Sequence, residues 1–399
     1  MSSRRLRSHS KPSPPSATLP GELITEILSR LPVKSLIQMK SVCKKWKTLI
    51  SNPSFIKIHL NRSLSSQNPY SYLLYFNVSP LNCKYIFIPF PVNHLLENNS
   101  ITLLKDPYFR LTNDKDCREV VGSCNGLVCL RGYTLADEDN RFMWLRFWNP
   151  ATRTISDKLG FLHDSNCHWL NWDFVFGYDN STNTYKVVAL DYEGIDGQVR
   201  VFSFGDNVWR SIQNLPVAAK RSSYMESRIY GGVHFSSTVN WVTTVSNDNV
   251  NQVVIFSLDL GTETYTQFLP PPGYEKVAHV IPSVCVLTNS FCFYHDYEAT
   301  DFVIWKMEEF GNEKSWSQIL KFSYQNLGMN YKFELGRVRL KLKPLHLSKN
   351  HDTVVLANNV EDRLILYNWR TNGAKKTRII NEMRWFSMNN YVESLVSTS

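Results

Sequence analysis

Hydrophobic positions follow two different spacings along the chain, and the change falls near residue 63. Residues 19 to 60 carry apolar side chains at helical spacing in three short segments. Beyond residue 63 the apolar positions form short runs rich in Val, Ile, Phe, Tyr and Trp, with turn residues between them. This pattern predicts an α+β chain with several domains, in which a three-helix module precedes a mostly β domain.

The first predicted helix begins at Leu19-Pro20, because proline suits the first turn of a helix, and it ends at Pro32. Its apolar residues are spaced to lie on one stripe, and they are Leu23, Ile24, Ile27, Leu28 and Leu31. The second segment extends from Val33 to about Lys40, and the third from about Val42 to Ile50. Helices this short are marginal alone, and so small a unit has too little interior to bury these faces. The surplus apolar surface therefore requires another domain or another protein.

The order of motifs in this stretch resembles the F-box. The motifs are Leu19-Pro20, the junction Leu31-Pro32-Val33-Lys34-Ser35-Leu36, the core Val42-Cys43-Lys44-x-Trp46 and the trailing Ile50-Ser51-x-Pro53-x-Phe55. The resemblance implies that the helices dock onto the Skp adaptor of a cullin-RING ubiquitin ligase. The adaptor-binding residues that it implies are Leu19, Pro20, Leu23, Ile24, Ile27, Leu28, Leu31, Pro32, Val33, Leu36, Val42, Cys43 and Trp46. The alternative is that the helices pack only on the rest of the chain.

A repeat of about 50 residues organises the β runs. An apolar strand, a polar turn and a second strand recur, and the anchor residues of the first strand are Trp148, Phe202, Phe256, Trp305 and Tyr367. Before most anchors lies a further hairpin-like pair. Four strands at this spacing match a kelch-like propeller blade, and an earlier unit at residues 72 to 90 brings the count to five or six. The repeat predicts an irregular β-propeller, with a β-sandwich as the alternative.

Motifs within the β half resemble the F-box-associated domain of the large plant F-box family. They are GSCNGLVCL (122 to 130), WNPATR (148 to 153), FGYD (176 to 179) followed by YKVV (185 to 188), and FSLDLGTETYTQF from residue 256. The two resemblances divide the chain into a disordered basic tail at residues 1–18, an F-box at 19–62 and a propeller-like substrate-recognition domain at 63–399.

Composition limits where such a chain works. No apolar run reaches the roughly 18 residues of a membrane helix, and the arginines near the N-terminus precede no apolar stretch of a secretory signal. The eight cysteines show no framework spacing, which favours reduced thiols. We therefore predict a location in the cytoplasm or the nucleus, with no membrane partner.

The net charge of +9 is concentrated in two regions. Residues 1 to 62 hold 12 Lys and Arg against Glu22 and Glu26, a balance of +10. Residues 331 to 379 hold 11 basic against 4 acidic residues, a balance of +7. A basic docking module suits an acidic partner, and the adaptor implied by the resemblance is acidic. The second region, with Lys341 and Lys343 at alternate positions, is typical of the solvent face of a strand.

Candidate chemistry is sparse. Asn125-Gly126 and Asn149-Pro150 are typical of turns, and Trp209 and Trp316 are expected to pack in the core or between blades rather than bind a ligand. The dense patch of possible metal ligands, Cys167-His168 with His163 and Asp164, lacks a second pair at zinc-finger spacing. No serine-nucleophile elbow, phosphate loop or zinc-protease motif is present. We therefore predict no catalytic residue, metal site or cofactor.

These observations predict a non-catalytic receptor that recruits a target protein for ubiquitination and proteasomal degradation. The first alternative is a lectin-type or small-ligand-sensing propeller that uses exposed aromatic residues such as Trp169, Trp172 or Tyr178. The second is a nucleic-acid-binding protein that uses both basic regions, which the charge map does not favour.

Overall fold

The computed structural model describes residues 19–65, 71–78, 85–97, 111, 117, 119–134, 142–163, 172–191, 198–215, 232–247, 250–274, 282–298, 300–328, 341–348, 350–358, 364–377 and 389–398. The tail at residues 1–18 lies outside these ranges. The described part divides into an N-terminal helical module and a β domain, as the change of hydrophobic period predicts.

The helical module contains four short helices, one more than the sequence predicts. They are α1 (Gly21–Leu28), α2 (Val33–Met39), α3 (Lys44–Ile50) and α4 (Pro53–Ser63). The fourth begins because the Asn52 side chain accepts a hydrogen bond from the Ser54 N–H (2.8 Å) and Pro53 occupies the first turn.

Helix α4 closes the module by returning to the first two helices. The Arg62 guanidinium pairs with the Glu26 carboxylate and donates to the Glu26 carbonyl (3.0 Å). The ring of His59, which is buried, forms a hydrogen bond with the Leu31 carbonyl (3.0 Å) in the loop between α1 and α2. These contacts order helices that would be marginal alone.

The described strands form six sheets, which we call blades 1 to 6. Blade 1 contains β1 (Ser71–Val78), β2 (Tyr85–Pro91) and β24 (Asn389–Val392), and α5 (Val92–Glu97) follows β2. Blade 2 contains β3 (Glu119–Cys124), β4 (Leu127–Tyr133), β5 (Phe142–Asn149), β6 (Thr154–Ile155) and β7 (Leu159–His163). Blade 3 contains β8 (Trp172–Asp179), β9 (Thr184–Asp191), β10 (Val199–Ser203) and β11 (Val208–Ser211).

Blades 4 to 6 each have four antiparallel strands in chain order. Blade 4 contains β12 (Val233–Phe235), β13 (Thr238–Asn247), β14 (Val250–Asp259) and β15 (Tyr265–Phe268). Blade 5 contains β16 (Ser283–Leu287), β17 (Ser290–Tyr297), β18 (Asp301–Met307) and β19 (Trp316–Ser323). Blade 6 contains β20 (Leu342–Leu347), β21 (Thr353–Asn358), β22 (Leu364–Asn368) and β23 (Gly373–Lys376).

The blades form a closed ring. Around it, β3 contacts β8, β8 contacts β12, β12 contacts β16, β16 contacts β20, β20 contacts β24 and β24 contacts β3. Because β24 pairs with β1, blade 1 joins strands from both ends of the β domain. The domain is therefore a six-bladed β-propeller, which confirms the predicted fold class and excludes the β-sandwich.

The sequence repeat corresponds to one strand in each of blades 2 to 6. Its anchors all lie on the third strand of a blade, and they are Trp148 in β5, Phe202 in β10, Phe256 in β14, Trp305 in β18 and Tyr367 in β22. The further hairpin-like pairs noted in the sequence are the first two strands, such as β12 with β13 and β16 with β17.

Aromatic residues on outer strands join neighbouring blades. The Trp209 indole on β11 donates to the Gly160 carbonyl of blade 2 (2.7 Å). The Trp316 indole on β19 donates to the Leu269 carbonyl after β15 (3.3 Å), and the Tyr265 hydroxyl on β15 donates to the Gln213 carbonyl after β11 (2.8 Å). Trp209 and Trp316 therefore pack between blades, as the repeat predicts.

We expect Gly160→Ala to destabilise the domain by about 1 to 3 kcal/mol. Gly160 has a φ of +57°, and an added Cβ would lie 2.9 Å from the Phe202 ring and 3.0 Å from the Trp209 indole nitrogen. Urea unfolding measures the loss. Gly205→Ala is the matched control, because its nearest heavy atom would lie 3.9 Å away. Equal stability of the two variants would contradict the inter-blade role of this contact.

The antiparallel order gives the propeller two different ends. The turns between first and second strands and between third and fourth strands share one end, which we call the turn end. The connections from second to third strands and from blade to blade leave from the other, which we call the connection end. Ser71 of β1 is paired with Val392 of β24, so the segment that follows β24 begins at the turn end.

Candidate adaptor-docking site

The apolar stripe of α1 is divided between two faces. Leu23 and Ile27 are 49% and 54% exposed, whereas Leu28 is buried and Ile24 is half-buried. One turn separates Leu23 from Ile27 and Ile24 from Leu28, so each pair lies on its own side of the helix. The helix therefore packs with one side and presents the other to solvent.

The remaining predicted adaptor-binding residues fall into the same two groups. Leu19, Pro20, Val42 and Cys43 are exposed, Val33 and Leu36 are buried, and Leu31, Pro32 and Trp46 are half-buried. The exposed residues lie at the start of α1 and in the loop before α3. We call Leu19, Leu23, Ile27 and Val42 the docking face, because they are its large exposed hydrophobic residues.

The buried group forms one cluster with residues of the propeller. Leu28, Val33, Leu36, Ile50 and Phe55 pack with Ala151 and Leu395. Ala151 lies in the turn between β5 and β6, and Leu395 follows β24, so both belong to the turn end. The propeller thus covers one side of the module and leaves the docking face open.

Polar contacts accompany this packing. The Val33 N–H donates to the Glu393 carboxylate (2.9 Å), and the Asn289 side-chain amide donates to the Leu64 carbonyl (2.7 Å). The sequence analysis did not identify Glu393 or Asn289. No local pattern marks them, because each contacts a partner more than 200 positions away along the chain.

Exposed lysines lie beside the docking face. Lys44, Lys45 and Lys47 on α3 are exposed, and they follow Val42 in the sequence. On α1, hydrogen bonds from Arg62 and Arg30 hold the pKa of Glu26 below its usual value, so this carboxylate stays paired within the module. The surface is therefore apolar and basic, which suits an apolar and acidic partner.

The turn motifs also have structural roles at the turn end. Asn125 and Gly126 have φ angles of 47° and 82°, as a tight hairpin turn requires. The side-chain oxygen Oδ1 of Asn149 accepts from the N–H groups of Ala151 (3.0 Å) and Thr152 (3.3 Å). Its side-chain nitrogen donates to the carbonyls of Ser394 (3.0 Å) and Val396 (2.8 Å), so one buried residue closes a turn and holds the segment after β24.

The aromatic residues proposed for a lectin-type site do not form one in the described residues. Trp172 is buried under the Arg200 guanidinium, which lies 5.0 Å from its ring centroid. Tyr178 is half-buried and its hydroxyl donates to Asn183, while Trp169 lies outside the described residues. The expectation that Trp172 is exposed is therefore wrong, because β8 places it inside blade 3.

The second basic region is also not a simple solvated face. Lys341 and Lys343 are half-buried, and burial lowers the pKa of Lys343 to about 8. The expectation of a solvated strand face is wrong for Lys343, because this strand is the inner strand of blade 6. Other basic residues of the region, Arg337 and Arg339, lie outside the described residues.

Neither a cluster of metal ligands nor a membrane-spanning helix occurs among the described residues. Within them, no group of three or more His, Cys, Asp or Glu side chains could hold a metal ion. The predicted ligand patch falls partly outside, because Asp164, Cys167 and His168 are not among the described residues. No helix in the same ranges is long and apolar enough to cross a membrane.

Curated relatives from Arabidopsis thaliana are similar to this chain along most of their length. An F-box/kelch-repeat protein is 29% identical over 316 residues, which cover 76% of this chain and 79% of the relative. The F-box protein CPR1 is 24% identical over 404 aligned positions, which cover 95% of this chain and 89% of the relative.

Solved structures show weaker similarity. A chain of the nidogen/laminin complex has a TM-score of 0.40 and 8% identity, over 81% of this chain and 99% of that chain. A prolyl endopeptidase has a TM-score of 0.37 and 10% identity, over 84% of this chain and 44% of that chain. Scores this low support no conclusion about function.

Two family models match the chain in the order that the fold shows. The F-box domain matches residues 17–58, which contain the first three helices. The F-box associated beta propeller domain matches residues 81–398, which is more than half of the chain and includes every described strand of the propeller except β1. The chain therefore belongs to the family of F-box proteins that carry an F-box-associated β-propeller domain.

Proposed function

We propose that this chain is the substrate-recognition subunit of a Skp-cullin-F-box ubiquitin ligase and recruits a target protein for ubiquitination and proteasomal degradation. The docking face carries this proposal, because a folded F-box leaves Leu19, Leu23, Ile27 and Val42 exposed while its other side is covered. Several large apolar side chains exposed on one small module mark a protein-binding surface. The partner is a Skp-type adaptor and, through it, the cullin-RING ligase.

The two ends of the propeller suit two partners. The module packs at the turn end, against Ala151 and Leu395. The connection end is therefore separated from the adaptor by the depth of the propeller. Connections on a rigid scaffold commonly carry recognition, so this end is the proposed place for the target.

The proposed mechanism is recruitment without covalent chemistry by this chain. Binding the target and the ligase together raises the effective concentration of the target lysine beside the charged ubiquitin. The reacting groups belong to the target and to the ubiquitin-carrying enzyme, so no cofactor is required here. This role places the chain in the cytoplasm or the nucleus.

We expect the double variant Leu23→Asp/Ile27→Asp to weaken adaptor binding at least about 100-fold, because two apolar anchors would become charged. Both side chains are about half exposed, so the thermal unfolding midpoint should hardly change. Calorimetric titration of the full chain with purified Skp adaptor measures the affinity.

The matched control is Val208→Asp on β11, whose side chain is 49% exposed and lies on the propeller. It adds charge to an equally exposed apolar position away from the docking face and should leave adaptor binding unchanged. Undiminished adaptor binding by the double variant would overturn the proposed docking face.

A further inference from the structure

The F-box module contacts the propeller at two blades that lie opposite each other. Ring order is blade 2, 3, 4, 5, 6 and 1, so three steps separate blades 2 and 5 in either direction. Ala151 in blade 2 joins the apolar cluster of the module. Asn289 in blade 5 binds the carbonyl of Leu64, the residue that caps the C-terminal end of α4. The module therefore spans the ring at the turn end.

Glu393 supplies a cap that helix α2 lacks. The helix begins after Pro32, which makes no side-chain capping bond, and its first turn contains no acidic residue. The Glu393 carboxylate accepts from the Val33 N–H at 2.9 Å and is only 3% exposed. A negative group at this place satisfies an unpaired donor and opposes the positive end of the helix.

Blade 2 fixes the position of Glu393 itself. The residue directly follows β24, and the carbonyl of the next residue, Ser394, is bound by the Asn149 side chain, as is that of Val396. Gly126 leaves room for this segment, since a Cβ there would lie 2.1 Å from the Ser394 hydroxyl. The cap thus belongs to the rigid ring and not to the module.

The turn of blade 5 fixes the second contact. Thr288 and Asn289 have φ angles of 46° and 57°, which is the conformation of a two-residue hairpin turn. Asn289 lies in the tight hairpin between β16 and β17, and this geometry points its side-chain amide towards the end of α4. The two polar anchors lie at different places around the ring, Asn289 in blade 5 and Glu393 directly after β24 of blade 1. Together they resist tilting of the module in a way that one anchor cannot.

We infer that Glu393 and Asn289 are positioning residues that fix the orientation of the F-box across the propeller ring. The adaptor is then held at a constant angle to the connection end. This consequence for the ligase rests on the proposed adaptor binding, whereas the orientation itself does not. Recognition at one end and transfer at the other would then share one rigid body.

Hydrogen exchange on the full chain tests the cap. Glu393→Ala should accelerate exchange of the amides at residues 33 to 36 about tenfold. Glu393→Gln keeps an oxygen acceptor and should restore most of the protection. Amides of β9, at residues 186 to 190, should exchange at the same rate in all three proteins. Equal acceleration in β9 would indicate general destabilisation and overturn a specific positioning role.

Distances between spin labels test the orientation. One label is attached at Lys47→Cys on α3 and the other at Val208→Cys on β11, so the distance between them reports how the module is oriented on the propeller. Cys43, Cys83 and Cys167 are replaced by serine in this protein. The parent should give one narrow distance distribution. The double variant Glu393→Ala/Asn289→Ala should at least double its width, because only the apolar contact would remain.

The two proposals fail separately. An unchanged distribution in the Glu393→Ala/Asn289→Ala variant would overturn the positioning role even if the adaptor binds normally. Failure of the parent protein to bind the adaptor would overturn the proposed function and leave the measured orientation unaffected. Loss of orientation with intact adaptor affinity supports the positioning role, because the docking face contains neither residue.

Discussion

Lys186→Met is expected to lower the free energy of unfolding by about 3 to 5 kcal/mol, because it leaves a buried carboxylate without its cation. The Lys186 ammonium lies 3.1 Å from the Asp179 carboxylate and donates to the Leu260 carbonyl. Both charged side chains are almost fully buried. Since Leu260 lies beyond β14, the lysine also joins blade 3 to blade 4.

Urea unfolding at pH 7 measures this loss against two companion variants. Lys306→Met removes an ion pair with Glu308 whose partners are 32% and 51% exposed, so it should cost less than about 1 kcal/mol. The double variant Lys186→Met/Asp179→Asn removes both buried charges and should recover much of the loss. Equal effects of the Lys186 and Lys306 variants would contradict the importance of burial.

The same pair predicts a loss of stability in acid. Burial opposes ionisation of Asp179, but hydrogen bonds from Thr182, Ser181 and Lys186 outweigh it and hold its pKa well below the usual range. A depressed folded pKa stabilises the protein above the unfolded value of about 4, and the contribution fades as the pH falls towards the folded pKa. Asp179→Asn should flatten this part of the stability profile between pH 5 and about pH 2.

Asn149→Ala is expected to destabilise the protein by about 2 to 4 kcal/mol, the second large effect. Four hydrogen bonds disappear, and the carbonyls of Ser394 and Val396 in the segment after β24 lose the donor that binds them. Because that segment carries Glu393 and Leu395, the amides of α2 should also lose protection. Chemical unfolding and hydrogen exchange measure the two effects.

Asp259 offers a matched comparison for Asn149. It occupies the corresponding turn of blade 4 and accepts from the N–H groups of Gly261 (2.9 Å) and Thr262 (2.7 Å). Asp259→Ala therefore removes a similar turn acceptor without affecting the segment after β24. It should lower the free energy of unfolding by about 1 kcal/mol. Asn149→Asp keeps an oxygen that accepts from the N–H groups of the turn. It also places a carboxylate against the two carbonyls that the Asn149 side chain binds. If Asn149→Ala loses no more stability than Asp259→Ala, the closing role of Asn149 is contradicted.

Local patterns predicted most of the propeller. The anchors from Trp148 to Tyr367 recur because blades 2 to 6 each place a large aromatic side chain on the third strand. The number of blades is harder to predict from the sequence. Blade 1 is assembled from β1, β2 and a short β24, and the β24 sequence, NNYV, has little strand character. The start of α4 had a recognisable signal in Asn52-Pro53, where an N-cap residue precedes proline.

The docking face could be predicted only in part. The helical stripe identifies apolar residues, but Ile27 and Leu28 are adjacent and only tertiary packing decides which faces solvent. The contacts of Glu393 and Asn289 left no local trace, since a capping carboxylate can come from any part of the chain. Sequence reasoning therefore found the residues of the F-box and missed what holds it in place.

The cap on α2 also constrains the order in which the protein can be made. Val33 and Glu393 are separated by 360 positions, so at about 5 to 20 residues per second the ribosome needs on the order of 20 to 70 s to supply the partner. During that time the nascent F-box lacks its cap, Leu395 and the ring beneath it. Synthesis interrupted before β24 therefore yields a chain that contains the F-box sequence but lacks the contacts that support the F-box. Completed synthesis and the orientation of the F-box on the propeller are therefore physically coupled.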